Sequence, residues 1–492
     1  ETEPEYIILR KNCYGLPAAG KTWADHRDKY MLERFNEENY KCTQCVYDPC
    51  LFYITRGARM RDDDAVTNDL RPYAEEAWIS IHTDDCDAYG TSKKLLKDIY
   101  NIHNSKWKAK VVPSNFMLGV KREEHKTYVK HGQQSMIDEH TIEMTMTPYV
   151  DGVYEGWKDF ISPNHKPSTP FPQNLTLTKN HTVDPAESQK VLDRGYMTVV
   201  GQLLWATRGV FPECHNGCNQ LGSLLAKPTE EAWTAAMHMV KWMHLNRLRG
   251  IKFDRKAVLQ PVVFSDASNK PDIHDGLSRY GFSVMMAGAP IASTSKKLAH
   301  VGLSAFHNEY MALRYAASHA MWIRNLLREV GCGHMVQEPT RIYGDNQAAN
   351  KLTKAHFIST GNQYIYLPYF WIQELVAKGE IVVPYVNTKL NVADVHTKSV
   401  TTDVIKNLLD RLCGYETQWM HDLLMNTSGY TTPIKPLSKH MVITAYAKRG
   451  YTPPTTRTLT DMKQVIASYG KVVYTHDNNE FREVDDYQLQ LA

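Results

Sequence analysis

Val262-Val263-Phe264-Ser265-Asp266-Ala267-Ser268 reads as a buried strand that ends on a carboxylate. Three apolar residues, two of them β-branched, fit the interior of a sheet. A central strand would have to bury Asp266, and a desolvated carboxylate without a partner is strongly destabilising. Such an acid needs a strong partner, often a metal ion. Taken alone, a strand followed by Ser-Asp is also an ordinary turn or cap, so the residues downstream must decide.

They supply more acids at equivalent places. Glu309 stands near the start of a helical pattern from Phe306 to Val330, with apolar residues recurring at three and four. Asp345 follows the short strand Thr340-Arg341-Ile342-Tyr343 and precedes a helix opening Asn346-Gln347-Ala348-Ala349. Asp394 lies in Asn391-Val392-Ala393-Asp394-Val395-His396-Thr397-Lys398, after a strand from Ile381 to Val386. Four carboxylates at strand ends and helix starts suit a two-metal phosphodiesterase. Two Mg²⁺ ions about 4 Å apart need several shared oxygen ligands and stabilise both the attacking and the leaving oxygen.

The order of segments is specific. A hairpin (Gly281 to Met286, then Ile291 to Ser295) is followed by Lys296-Lys297, Leu303-Ser304 and Asn308-Glu309-Tyr310. Tyr343-Gly344-Asp345-Asn346-Gln347, Gly379-Glu380-Ile381 and Ala393-Asp394 with Thr397-Lys398 come next. Over residues 260–400 this resembles the ribonuclease H domain of copia-type LTR retrotransposons. The resemblance implies that Asp266, Glu309, Asp345 and Asp394 are the metal-binding quartet, holding two Mg²⁺ ions with Mn²⁺ as an alternative. It also implies endonucleolytic cleavage of RNA in RNA–DNA hybrids, with no nucleophilic side chain required. His396 lies close enough in sequence to assist but on another helical face from Asp394.

At 492 residues, 42% hydrophobic and 23% charged, the chain has room for about three domains with real cores. A net charge of +3 leaves nucleic-acid binding to local patches. No apolar run reaches the length of a membrane span, and no signal-peptide pattern opens the chain. Nine scattered cysteines favour reduced thiols and an intracellular setting, a cytoplasmic particle or the nucleus. A start at Glu1 rather than Met suggests a processed product or an excerpt.

Near the N-terminus, Gly15 to Thr22 fits the phosphate-loop pattern G-x-x-x-x-G-K-T. A working loop needs a strand running straight into its first glycine. Here five residues separate the strand Tyr6-Ile7-Ile8-Leu9 from Gly15. Tyr14-Gly15-Leu16 with Ala19 and Trp23 instead resembles the copia reverse transcriptase segment that opens the palm helix, expected from Lys21 to Asn36 with Trp23, His26, Tyr30 and Phe35 on one face. Tyr47 to Ile54 then reads as turn and strand. The cysteines Cys42, Cys45 and Cys50 lack a second pair at zinc-finger spacing.

Ala77 to Gly90 alternates on both sides of Asp84-Asp85, a hairpin with the acidic pair at its tip. It resembles the Tyr-x-Asp-Asp hairpin of reverse transcriptases, with His82 for Tyr, which makes Asp84 and Asp85 remnants of a polymerase motif. Asn115 to Val120 matches the strand the family places next. Only thirteen residues precede Tyr14 and none is Asp. The third palm carboxylate and the fingers are therefore expected from elsewhere, with an upstream reverse-transcriptase fragment as a partner, and the polymerase part is expected to be inactive alone.

The expected fold class is α/β (α+β). A partial palm occupies 1–147, a Pro-rich extended linker 148–190 and a helical connection 191–256. A ribonuclease H domain follows at 257–400, with a five-stranded mixed sheet flanked by helices, and an extension of unassigned role at 401–492. The family carries basic residues where this chain has Gly361, Gln363, Tyr364 and Pro368, and Gln where it has Ala18. Phosphate contacts supply much of hybrid affinity, so weaker binding is expected. The alternative reading is a domesticated, non-catalytic nucleic-acid-binding or self-assembling protein, a homo-oligomer joined through 148–190 and 400–492.

Overall fold

The computed structural model describes residues 18–57, 75–112, 115–131, 134–179, 184–268, 275–354, 366–427, 475–477 and 480–482. The strand expected at Tyr6 to Leu9, the Tyr14-Gly15-Leu16 segment, and Gly361, Gln363 and Tyr364 lie outside them. Helix α1 (Ala19–Glu37) buries Arg27, Met31 and Phe35, a stripe at four-residue spacing. His26, expected on that face, is exposed, because the stripe runs one position further on. Gly20, Lys21 and Thr22 are exposed residues of this helix, so the end of the phosphate-loop pattern is helix rather than loop.

Strands β1 (Lys41–Gln44), β2 (Leu51–Arg56), β3 (Glu75–His82) and β4 (Asp85–Gly90) form an antiparallel meander in that spatial order. With α1 and α2 (Lys93–Trp107) they enclose Phe35, Phe52, Ile54, Ile79, Ile81 and Ile99. Strands β5 (Phe116–Met117) and β6 (Val120–His131) meet at a tight turn instead of the single strand expected over Asn115 to Val120. Leu118 and Gly119 take φ values of 53° and 84° there, the left-handed pair that a two-residue hairpin requires. Strand β7 (Gln134–Thr145) pairs with β6.

The stretch 148–190 differs from an extended linker. Helix α3 (Thr147–Trp157) opens it, with Pro148 in its first turn, and α4 (Pro185–Asp193) begins within it. Between them Phe171 and Leu177 are buried in the same core as α5 (Tyr196–Gly209), α6 (His215–Gly222) and α7 (Glu230–Leu245). Strand β8 (Ile251–Asp254) returns to pair with β7, so the connection closes the preceding sheet.

Glu213 is 3% exposed in this core and its Oε2 has no hydrogen-bond partner among the described residues, while Oε1 accepts from Trp242 Nε1 at 3.2 Å. Burial pushes its carboxyl above the usual range. A carboxyl raised in the folded state keeps its full contribution below the unfolded pKa, and loses it as pH rises, because the unfolded chain ionises first. Glu213→Gln should therefore leave urea stability unchanged near pH 4 and raise it by about 1–3 kcal/mol at pH 8. An equal change at both pH values would contradict this.

The next strands build the sheet that matters most. β9 (Val262–Ala267), β10 (Arg279–Met286) and β11 (Ala289–Lys297) run antiparallel. Helix α8 (Ala305–Glu329) follows, with Ser304 Oγ accepting from His307 N at 3.1 Å as its cap. It buries Glu309, Leu313, Ala316, Ala320, Ile323 and Leu327 at helical period. β12 (Thr340–Gly344) then pairs parallel with β9 and leads into α9 (Gln347–Leu352). A second unit comprises residues 351–379 and 432–492, and its described part includes α10 (Tyr366–Ala377) and the strand pair Thr475–Asp477 with Glu480–Arg482.

The chain re-enters the sheet as β13 (Ile381–Val382), parallel to β12 and shorter than the strand expected to Val386. The order β11-β10-β9-β12-β13, three antiparallel strands followed by two parallel ones, is the ribonuclease H fold. All six residues of β9 are buried, as a strand covered on both faces requires. Its first carboxylate sits at the end where the parallel strands also finish.

Helix α11 (Asp394–Thr397) is one turn, and α12 (Thr402–Leu412) and α13 (Gln418–Asn426) come after it. These last two are core, a role that the sequence reading leaves unassigned for residues 401–492. Trp419 packs on Phe264 of β9 with ring centroids 5.3 Å apart, and Thr427 Oγ1 lies 2.7 Å from the Tyr343 hydroxyl. Within 148–190 and 400–427, Val150, Phe171, Leu177, Ile405, Leu408, Leu412 and Met420 are buried in this core, while Phe160 and Met425 are exposed. The β1–β4 sheet is fastened to the end of α8: Trp78 Nε1 donates to the Val330 carbonyl at 2.9 Å, and Val46 N to Glu329 Oε1 at 2.7 Å. No helix of the described residues is long and apolar enough to cross a membrane.

Candidate active site

Sheet register brings the acids together. Gly281 of β10 lies opposite Asp266, and Gly344 of β12 pairs with Ser265. Asp345 therefore leaves the sheet one residue beyond Gly344, beside Asp266. Glu309 comes from the second turn of α8, directly after the capped start. Asp266, Glu309 and Asp345 each place a carboxylate oxygen within 4.8 Å of the others. Asp266 and Glu309 are buried, at 1% and 7% exposure.

Asp394 joins through a lysine. Lys398 Nζ lies 3.0 Å from Asp394 Oδ1 and 3.6 Å from Asp266 Oδ2. Thr397 Oγ1 donates to the same Asp266 Oδ2, and Thr388 Oγ1 donates to Asp345 Oδ2 at 2.7 Å. Burial, then repulsion from Asp394, raises the Asp266 carboxyl above its usual range. Burial followed by Asp266 and Asp345 raises Glu309 likewise, and burial raises Asp394 against the pull of Lys398. Burial would lower the Lys398 ammonium, but Asp266 and Asp394 hold it above the usual lysine range. A cation would relieve this repulsion, and an all-oxygen, carboxylate donor set fits a hard divalent ion.

Several residues that sequence reading did not assign hold this geometry. Asn391, fully buried, donates from Nδ2 to the Ser265 carbonyl at 3.0 Å, and its Oδ1 accepts from Ala393 N at 3.2 Å. It ties the loop before Asp394 to the strand that carries Asp266. Asn350 Nδ2 donates to the carbonyls of Gly344 at 2.7 Å and Pro384 at 3.2 Å, fixing the end of β12. Their only local signal is an asparagine among apolar neighbours. His396 is fully buried, with Nε2 2.7 Å from Ser283 Oγ, so it anchors α11 instead of facing the acids.

That anchoring depends on Gly281, where an added Cβ would lie 2.4 Å from the Cβ of His396 and 3.2 Å from Thr397 Cγ2. Gly281→Ala must push α11 outward and carry Asp394, Thr397 and Lys398 with it. Divalent-cation affinity should fall roughly 10–100-fold, the usual effect of losing support behind a ligand. A Mn²⁺ titration measures it, and an unchanged affinity would show that α11 does not need this close approach.

Asp84 and Asp85 stand apart from this cluster. Both are exposed at the β3–β4 turn, where Thr83 has φ 57° and its carbonyl accepts from Trp23 Nε1 at 2.7 Å and Arg27 Nη1 at 3.0 Å. Among the described residues, neither belongs to a group of three metal-capable side chains. Cys42, Cys45, Cys214 and Cys218 are buried free thiols, with Cys50 exposed. Pro368 is a partly buried residue of α10.

No family model matches the chain. It is 24% identical over 413 residues to the retrovirus-related Pol polyprotein from transposon RE1 of Arabidopsis thaliana, across 83% of this chain and 25% of that protein. Against the corresponding polyprotein from transposon RE2 of the same plant it is 26% identical over 408 residues, 82% of this chain and 25% of the relative. The chain thus spans about a quarter of the length of these curated relatives, 25% in each case. Among solved structures, RNase H1 from Halobacterium salinarum NRC-1 matches 31% of this chain and 98% of its own at 15% identity, with a TM-score of 0.22. The chain is a homologue of the retrotransposon Pol polyproteins, built around a ribonuclease H fold.

Proposed function

We propose that this chain is a copia-type ribonuclease H that cuts the RNA strand of RNA–DNA hybrids at Asp266, Glu309, Asp345 and Asp394. The observation that carries this reading is the convergence of three acids within 4.8 Å at the finishing end of a parallel strand pair. The four acids would hold two Mg²⁺ or Mn²⁺ ions. Such ions, when bound, stabilise the charge on the attacking and leaving oxygens of a phosphodiester.

The chain's own groups have a positioning task. Thr397 and Lys398 fix Asp266 Oδ2, and Thr388 fixes Asp345 Oδ2, so the acids meet the substrate already oriented. The attacking group is water, held by carboxylate oxygens. His396, bonded to Ser283 in the interior, takes no part in moving its proton. We assign the Asp84–Asp85 hairpin no polymerase activity by itself, since polymerisation on two ions needs a further palm carboxylate.

The test uses the full chain with an RNA–DNA hybrid labelled on the RNA strand, in Mg²⁺ or Mn²⁺, beside duplex RNA and duplex DNA. Internal cuts in the RNA of the hybrid, stopped by chelator, are expected. An intact hybrid with both cations would reject the proposal.

A further inference from the structure

The cluster has two unlike halves. On one side Asp266, Glu309 and Asp345 bring carboxylate oxygens within 4.8 Å of one another. On the other, the approach between Asp266 and Asp394 already contains a positive charge, Lys398 Nζ, 3.6 Å from Asp266 Oδ2 and 3.0 Å from Asp394 Oδ1. The backbone makes this contact straightforward. Helix α11 ends at Thr397, and Lys398 follows in extended conformation, φ −133° and ψ 154°. Its side chain comes back over the one-turn helix to the acid four residues earlier.

We infer that Lys398 is a tethered cation at the Asp266–Asp394 half of the site, and that a second divalent ion enters there only by displacing its ammonium. This inference rests on the reading of the cluster as a divalent-cation site. Three observations support it. The ammonium bridges the two carboxylates that the second ion would share. Thr397 Oγ1 donates to the same Asp266 oxygen, so that oxygen is held towards the lysine. The Lys398 side chain is 44% exposed, and a lysine head on a flexible four-carbon stem is free to leave.

An ammonium and a divalent ion cannot share one pair of carboxylates a few ångströms across without strong repulsion. The lysine therefore offsets part of the negative charge shared by Asp266 and Asp394 in the metal-free cluster, and it sets the order of loading. The first ion goes to Asp266, Glu309 and Asp345. The second arrives when something else, such as a substrate phosphate, draws the ammonium away. Phosphate is a suitable lure, because lysine binds it as a point charge.

The test is Mn²⁺ binding to the full chain, read by calorimetry and by the electron paramagnetic resonance signal of free Mn²⁺, without substrate. The wild type should take one ion tightly and a second at least about tenfold more weakly, since a neighbouring charge shifts such equilibria by roughly 1–3 orders of magnitude. Lys398→Met keeps the stem and removes the charge, and should tighten the second site about tenfold or more by the same reasoning. Lys398→Arg keeps the charge and should preserve the gap.

Melting temperature without metal gives a second readout. Lys398→Met should melt lower than wild type and gain more from Mn²⁺, and Lys398→Gln repeats the test should the methionine variant fold only with the ion. Identical second-site affinity in wild type and in both neutral variants overturns the inference while leaving the metal site standing. Absence of Mn²⁺ binding in the wild type overturns the metal site itself, and the inference with it.

Discussion

Asp345→Asn is expected to lower hybrid cleavage by roughly 10³-fold or more, because two-ion stabilisation of the transition state contributes several kcal/mol and each 1.36 kcal/mol is a factor of ten. The substitution changes almost no volume. An asparagine oxygen can still accept from Thr388 Oγ1, which lies 2.7 Å from Asp345 Oδ2, so the loop after β12 keeps its anchor. What disappears is one negative charge from a group of three acids within 4.8 Å of one another. Cleavage of a labelled hybrid, with melting temperature and circular dichroism as controls for folding, reads the result. A fully active Asp345→Asn protein would mean that these acids do not form the reaction site.

Ending the chain at residue 400 is expected to leave no folded nuclease. The sheet that carries Asp266 is closed on one side by Ile405, Leu408, Leu409, Leu412, Trp419, Met420 and Leu423, all buried. A side chain of this kind contributes about 1.5–3 kcal/mol on burial, and the whole stability of a domain is only ~5–15 kcal/mol. Losing all of them strips Phe264 and Tyr343 as well, so the truncated chain should be insoluble or lack a cooperative melt. The single change Trp419→Ala, with its ring 5.3 Å from that of Phe264, should lower urea stability by about 3–5 kcal/mol. A soluble, cooperatively melting chain that stops at 400 would show that α12 and α13 only decorate the sheet.

The sequence by itself determined the elements whose signals are local. Val262 to Phe264 is apolar and β-branched enough to be a central strand. The apolar period from Phe306 to Val330 places Glu309 near the start of α8. The paired hairpin strands and the strand before Asp345 follow from the same short-range patterns. So do the acids at their ends, because a side chain at a strand end keeps its place once the strand exists.

Other features were decided by tertiary structure, through contacts between residues far apart in the chain. Asn391 meets the Ser265 carbonyl across 126 positions, and Thr397 meets Asp266 across 131. No local pattern encodes such a pair. Lys398 looks like any surface lysine until α11 lies against β10, which requires Gly281 to have no Cβ. His396 looks like a candidate proton carrier until the same packing buries it on Ser283. The apolar face of α12, read alone, does not say which surface it covers. The sheet supplies that surface, and burying both removes apolar area from water at a place that neither segment specifies by itself.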